Sequence, residues 1–526
     1  MPLAFALTLI AGLFLGWQIS RTSHSTSSGE GKLLDIFSII QDKYVEDVDI
    51  DSMVEMTIPL MLKNLDPHSS YIPAKELESA NSELEGKFSG VGISFRIHND
   101  TLNVVEVIPD GPSEKAGLLP GDRLIKVDDE NIAGTGITED DVFKLLRGKK
   151  GTKVKLTVKR SNSTKPLTFN ITRDDIPVKS VDAAYMITDS IGYVKVSKFG
   201  RNTYNEFLQS LNSLRLNGAE SFVVDLRGNG GGYLESAVMM VNEFLPAGKL
   251  IVSTRGRNSR NDQVIISDGT GAFQDYGVVV MINEFSASAS EIFSGAIQDN
   301  DRGWIVGRRS FGKGLVQQPI MLPDSSEIRL TVQRYYTPSG RCIQKDYKPG
   351  ENDNYDLELI NRFNNGEMLS ADSIKLNIDE KFLTTGGREV YGGGGIMPDY
   401  FVPEDTSYIT SYYVNVANQG LPIQYAYEYS DGNRNQLSKA KTVDELLKML
   451  PSDAILLNDF VRYAVTKGVP ARWAYINKCA PMLVNQLKAL ITRGTFGIEG
   501  YYEVINRQDN TVDEALRHAT LPIIAE

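Results

Sequence analysis

The run Asn283-Glu-Phe-Ser286-Ala-Ser288-Ala-Ser290-Glu-Ile292 follows the apolar stretch Val278–Ile282 and opens a helix-like pattern. A serine hydroxyl at a strand-to-helix turn is exposed, and the adjoining helix N-terminus favours developing negative charge. On this pattern alone any of Ser286, Ser288 and Ser290 could be nucleophilic. Such a serine needs a base, and the four histidines (His24, His68, His98, His518) leave positions 99 to 517 without an imidazole. A neutral lysine can do the same work, since its ordinary pKa of ~10.4 falls by as much as ~3–5 on burial. Lys313 lies between Gly312 and Gly314 with apolar Phe311, Leu315 and Val316 close by, a dry setting. Gln317, four residues on, can hold its amine in line.

Two glycine-rich runs offer other chemistry. Gly307-Arg-Arg-Ser-Phe-Gly312-Lys313-Gly314 nearly matches the phosphate-binding pattern G-x-x-x-x-G-K-[ST], but Gly314 supplies no hydroxyl for magnesium. The residues after it alternate like a strand, where a phosphate loop needs a helix. Asp225-Leu-Arg-Gly-Asn-Gly-Gly-Gly232 stands between a strand and a helix from Leu234. That arrangement aims backbone N–H groups at an anion, either a phosphate or an oxyanion. Asn229 breaks the dinucleotide-binding fingerprint, and Asp225 and Arg227 read as structural partners. The two cysteines, Cys342 and Cys479, exclude a thiolate zinc cluster and a dense disulfide framework, and read as free or packed thiols. With 55 Lys and Arg against 67 Asp and Glu, the net charge of -12 argues against a general nucleic-acid binder.

The elements that must position these groups follow from the same chain. Its 526 residues, 41% hydrophobic and 23% charged, predict an ordinary globular protein of about three to five domains. Pro2–Trp17 carries no charge and, extended through Ser20, reaches the ~17–25 residues of a membrane span. With the polar tether behind it, this predicts export with a retained anchor over residues 1–20. Residues 21–85 read as the tether and two short helices, ending in the turn Leu65-Asp-Pro-His68-Ser-Ser-Tyr71, with His68 as a turn residue. From about Gly86 to Val178 short strands alternate with turns and two small helices. Phe88-Ser-Gly90-Val91-Gly92-Ile93 is a glycine-flanked loop before a strand, able to receive a carboxylate while the strand edge takes up an extended chain. From Val181 apolar strands alternate with amphipathic helices, which favours a central sheet covered by helices. Residues 345–385 read as a polar insertion, and 404–526 as a mostly helical extension suited to packing or oligomerisation.

Ala116-Gly-Leu-Leu-Pro120-Gly-Asp122-Arg-Leu-Ile-Lys-Val127 resembles the PDZ domains of bacterial proteases, and the likeness spans residues 86–178. The ordered set D-L-R-x-N-x-G-G, S-A-S-A-S-E-I, F-G-K-G-x-x-Q and Tyr336-Thr-Pro-Ser-Gly-Arg341 resembles the C-terminal processing peptidases, the tail-specific serine endopeptidases. Leu65–Tyr71 and Gly395-Ile-Met-Pro-Asp399 match as well, and Gly230 stands where many members carry proline. The resemblance implies a multidomain α/β protein: a β-rich PDZ domain, an α/β peptidase core of the ClpP/crotonase-like type over residues 179–403, and helical N- and C-terminal segments. It implies Ser288 as nucleophile, Lys313 as general base, Gln317 orienting it, and the N–H groups of Gly232 and Ala289 as the oxyanion hole. Gly90, Val91, Gly92 and Ile93 become the carboxylate loop of the PDZ domain. No metal or cofactor is implied. The expected partners are proteins or peptides bound through their C-termini, a membrane through the N-terminal segment, and a second copy through the N- or C-terminal helices. The expected place is the cell membrane facing the periplasm, or else the periplasm as a secreted protein. The rival reading is a peptide-binding scaffold with an inert α/β domain, and the intact Ser288, Lys313 and Gln317 set speaks against it.

Overall fold

The computed structural model describes residues 29–519 apart from 99, 161–162 and 376–377, together with residue 12. The expected anchor at residues 1–20 lies outside the described residues. Among those described, no helix is long and apolar enough to cross a membrane.

The central sheet has six strands in the order Val181–Met186, Ile191–Val196, Ser221–Asp225, Gly277–Ile282, Trp304–Gly307 and Tyr400–Phe401. The first pair is antiparallel and every later pair parallel. Four of these strands are legible in the sequence as near-continuous apolar runs, as expected for strands buried on both faces. Side chains alternate between two cores. Phe222, Val224, Val280 and Ile282 face the helices Thr203–Leu216, Leu234–Asn242 and Ala289–Asp299. Val223, Val279 and Met281 face the other way and are covered by Val512, Ala515 and Ala519 of the last helix, Asn510–Ala519. The C-terminal extension therefore closes one face of the central sheet, although most of it forms a separate helical body around Phe460, Leu456 and Leu483.

A second sheet was not legible in the sequence. Glu327–Tyr336 pairs with Leu315–Met321 along one edge, and with Leu250–Gly256 and the short strand Ser70–Ile72 along the other. Ile251, Val252 and Tyr335 bring this sheet onto the same core as the central one. Because Ser70–Ile72 belongs to it, the turn Leu65–Tyr71 is delivered against the α/β core rather than left in a tether. The segment read as an insertion contributes two helices, Asn352–Asp356 and Glu358–Asn364, that pack beside the same region.

The β-rich module is built as expected, with a sheet ordered Ile93–His98, Thr101–Val107, Arg123–Val127, Lys153–Lys159 and Leu167–Thr172 around Leu102, Leu124 and Leu156. It touches the helical extension through two arginines. Arg434 lies against Gly121 in the Pro120–Asp122 turn, and Arg96 lies against Gly420.

The coverage of the sheet by the last helix makes a prediction. Ala515→Glu places an unpaired carboxylate in a fully buried position and is expected to cost about 3–5 kcal/mol of unfolding free energy. Urea unfolding measures this, and an unchanged midpoint contradicts the packing described.

Candidate active site

The strand Gly277–Ile282 ends at a tight turn from which the helix Ala289–Asp299 starts. All eleven residues of that helix are buried, so it is held from every side. The three serines of the turn then separate by environment. Ser286 is fully buried, its Oγ donating to the Leu226 carbonyl (2.9 Å) and accepting the Asn283 N–H (3.0 Å). Ser290 is fully buried, its Oγ donating to the Asn229 carbonyl at 2.8 Å. Both flanking hydroxyls are thus spent on holding the Asp225–Gly232 loop against the turn. Ser288, between them, is partly exposed and sits at φ 55°, ψ -112°. A non-glycine residue there is strained by roughly 1–3 kcal/mol.

The loop Gly228–Gly232 lies across this turn. A Cβ added to Gly231 would come within 2.7 Å of Ser288 Cβ and 3.1 Å of the Ala289 nitrogen. At Gly232 (φ 144°) a Cβ would collide with the Phe199 carbonyl. Glycine is required at both places, so the loop backbone is in contact with the serine. Asn229, fully buried, fixes the loop from within: its Nδ2 donates to Val196 O and its Oδ1 accepts the Gly231 N–H. Ala289 opens the helix, where the first N–H groups have no partner within the helix. Ahead of the loop, burial opposes ionisation of Asp225. Arg227 and Lys195 beside it nevertheless hold its carboxyl well below the usual carboxylate range.

Lys313 reaches the site from the strand Trp304–Gly307 through the Ser310–Gly314 loop, after which the chain runs extended in Leu315–Met321. The helix that a phosphate loop needs is absent there. Burial lowers the Lys313 pKa, opposed by the charges of Glu291 and Asp66 and assisted by Arg329. Its Nζ donates to Gln317 Oε1 at 2.8 Å. Gln317 Nε2 in turn donates to the backbone carbonyl of His68, in the Leu65–Tyr71 turn.

Glu291, fully buried, ties these segments to one another. Its Oε1 accepts the Ser310 hydroxyl (2.5 Å) and the Gly312 N–H (2.7 Å), and its Oε2 accepts the N–H groups of Ser288 and Lys313, each at 2.8 Å. Burial pushes the carboxyl pKa up, while the four donors oppose this. The Tyr335 hydroxyl lies 3.2 Å from the Ser288 carbonyl and also bonds the Lys313 carbonyl. Nothing in the residue types alone singles out Tyr335. Glu291 carries a weak signal, since Ser288-x-x-Glu291 is the spacing of a capping box.

In the β-rich module, residues 90–93 form the bend between Lys87–Gly90 and Ile93–His98, with Gly92 at φ 78°. In the described sheet Ile93–His98 pairs only with Thr101–Val107, so its second edge faces the helix Glu139–Leu146. Phe95 and Phe143 meet across that gap with ring centroids 5.5 Å apart. Arg147, which follows the helix, stacks on Phe143 and Phe88, and its Nε is buried without a partner.

Comparison with known proteins identifies the families of the two regions. Residues 190–352 match the family model "Peptidase family S41" and residues 104–160 match "PDZ domain". Over 348 residues the chain is 37% identical to the "Carboxy-terminal-processing protease" of Bartonella bacilliformis, covering 64% of this chain and 79% of that one. The chain belongs to the carboxy-terminal-processing protease family. It is a serine-type peptidase with a PDZ domain. The "Probable CtpA-like serine protease" of Staphylococcus aureus strain N315 is 33% identical over 346 residues, covering 65% of this chain and 68% of that one. A solved "photosystem II D1 C-terminal processing protease" is 28% identical, covering 60% of this chain and 84% of that one, with a TM-score of 0.33. Residues 412–497, in the helical extension of the peptidase, match a "Family of unknown function".

The positive φ of Ser288 yields a test that needs no substrate. Ser288→Gly and Ser288→Ala both remove the hydroxyl, but only glycine relieves the backbone. Ser288→Gly is expected to be more stable than Ser288→Ala by about 1 kcal/mol in urea unfolding. Equal stability contradicts the strained turn.

Proposed function

We propose that the protein is an endopeptidase that cleaves exported proteins after its PDZ domain has taken hold of their C-terminal tails. The observation that carries the reading is the environment of Lys313, a half-buried amine on Gln317 whose backbone shares a carboxylate oxygen with the backbone of Ser288. Neutral Lys313 removes the proton from Ser288 Oγ as that oxygen attacks the scissile carbonyl carbon. The resulting oxyanion is received by the N–H groups of Ala289 and Gly232. The Lys313 ammonium then protonates the departing amine as the C–N bond breaks, leaving an acyl-enzyme on Ser288. A water molecule, deprotonated by the same amine, hydrolyses that ester and frees Ser288. No step draws on a metal or cofactor.

In the PDZ domain, a substrate tail adds as a strand to the open edge of Ile93–His98, its carboxylate directed to Gly90, Val91, Gly92 and Ile93. Arg147 stands at the same end of the groove and supplies the positive charge that a buried carboxylate requires. The uncharged run Pro2–Trp17 and the tether after it support a site of action outside the cytoplasm, with the N-terminal segment as a membrane anchor.

Incubation with an unstructured polypeptide tests the reading. Cleavage is expected for the unsubstituted protein and lost in both Ser288→Ala and Lys313→Ala, and persistence in either variant sinks the pair. The rate is expected to rise with pH along a single limb. Below the Lys313 pKa the ammonium cannot accept a proton, and burial places that pKa beneath the ordinary lysine value. Amidating the terminal carboxylate of the substrate, or introducing Arg147→Ala, is expected to raise KM at least several-fold. Unchanged KM in both cases contradicts tail recognition.

A further inference from the structure

The turn Leu65–Tyr71 enters the site from the N-terminal part of the chain, and the chemistry above uses only one of its carbonyls. Asp66 in that turn is 5% exposed. Its Oδ1 accepts the N–H of His68 (2.9 Å), the N–H of Ser69 (2.8 Å) and the Thr331 hydroxyl (3.0 Å), and its Oδ2 accepts the Ser69 hydroxyl at 2.6 Å. The Thr331 N–H closes the arrangement on Ser69 Oγ at 3.1 Å. Burial would raise the Asp66 pKa, but these donors overcome it and keep the carboxylate ionised. On the far side, His68 Nε2 lies 2.7 Å from the Tyr355 hydroxyl, and the imidazole meets Phe311 of the Lys313 loop edge-on. The peptide unit of His68 is therefore gripped from both ends.

That grip decides the orientation of Gln317. An amide has a donor end and an acceptor end, and a carbonyl can receive only the donor end. With Nε2 committed to the His68 carbonyl, Oε1 is the end left facing Lys313 Nζ. Reversed, the amide would set two donors against an amine that must present its lone pair to Ser288.

We infer that Asp66 is a positioning residue for proteolysis, acting through the His68 carbonyl to set the orientation of Gln317 and so the place of the Lys313 amine. The inference rests on Lys313 being the base. The charged groups facing Lys313 are Glu291 and Asp66, which favour its ammonium, and Arg329, which disfavours it. The His68 imidazole is pushed down to about 4 by burial and by Lys313, so it is neutral near pH 7. Lys345 lies beyond it, paired with Glu358. Removing the Asp66 charge takes away one of two groups that favour the ammonium, so the acid limb of the rate profile moves to lower pH.

The test compares pH profiles of kcat and kcat/KM on an unstructured polypeptide for the full chain, Asp66→Asn, Gln317→Ala and the double variant, with melting curves for each. Asp66→Asn is expected to lower kcat on the order of tenfold and to move the acid limb downward in pH. The double variant is expected to be no slower than Gln317→Ala alone, because the two residues act in series. An acid limb that stays in place, or losses that multiply in the double variant, overturns the inference. If Asp66→Asn does not fold, Ser69→Ala, which removes one donor from the same turn, takes its place in the double-variant comparison, and multiplied losses again overturn it. If Lys313→Ala remains active, the proteolytic reading fails and the inference with it. A lysine-dependent limb that Asp66→Asn leaves in place overturns the inference alone.

Discussion

One buried carboxylate organises the catalytic region. Glu291 accepts four hydrogen bonds, three from backbone N–H groups, and those groups belong to two segments that it ties together. A single oxygen, Oε2, receives both the Ser288 and the Lys313 N–H, so the backbones of the two residues cannot drift apart without breaking a charge-assisted bond in a dry interior. A surface loop could not deliver this constraint, because water would compete for every donor. The price is a charge with no cation bonded to it among the described residues, held by three backbone N–H groups and the Ser310 hydroxyl.

The rest of the fold supports that point from several directions. Arg341, fully buried, pairs with Asp299 at the far end of the serine helix and pins it lengthwise. Residues 395–399 return through the Ile396 N–H to Ser310 Oγ, so the Gly395–Asp399 motif holds the hydroxyl that bonds Glu291. Arg362, from the segment read as an insertion, donates to the carbonyls of Arg309 and Ser310 and braces the same loop from outside. The PDZ domain is coupled through the helix Ala74–Glu85. Its Ser79 receives Arg147, its Asn81 receives Arg329, and its Glu85 receives Arg201 together with the hydroxyl of Tyr233, the residue after Gly232. The Arg147 end of the β-rich module and the Gly228–Gly232 loop beside Ser288 are thus joined by one short helix.

Much of this was legible in the sequence, and the parts that were not have physical reasons. The apolar strands and the helices at Thr203, Leu234 and Ala289 follow from periodicity, because burial on one or both faces dictates residue type. The second sheet escaped although Leu315–Met321 and Glu327–Gln333 alternate in residue type, because alternation does not name the partner, and Leu250–Gly256 lies far away in the chain. Its Ser70–Ile72 member is three residues long and finds its partner more than 250 residues away. Residue types do not separate Gln317 from its neighbour Gln318, and the reason is local. The pairing of Leu315–Met321 with Glu327–Tyr336 shifts register between Val316 and Gln317, and a bulge of that kind re-aims the next side chain. The positive φ of Ser288 is likewise invisible in residue types, since nothing about serine announces a strained backbone.

The claim that Glu291 holds Ser288 and Lys313, the proposed nucleophile and base, in register is open to one direct measurement: the rate at which a fluorophosphonate labels the protein across pH, with the modified residue located by peptide mass mapping. Glu291→Gln is nearly isosteric but turns two amide hydrogens toward backbone donors, so the register must loosen. The account predicts labelling on Ser288 alone, rising with pH through one ionisation below the ordinary lysine value and slowed by about 10²-fold in folded Glu291→Gln. Equal rates in the two proteins, or labelling on Ser286 or Ser290, would contradict it.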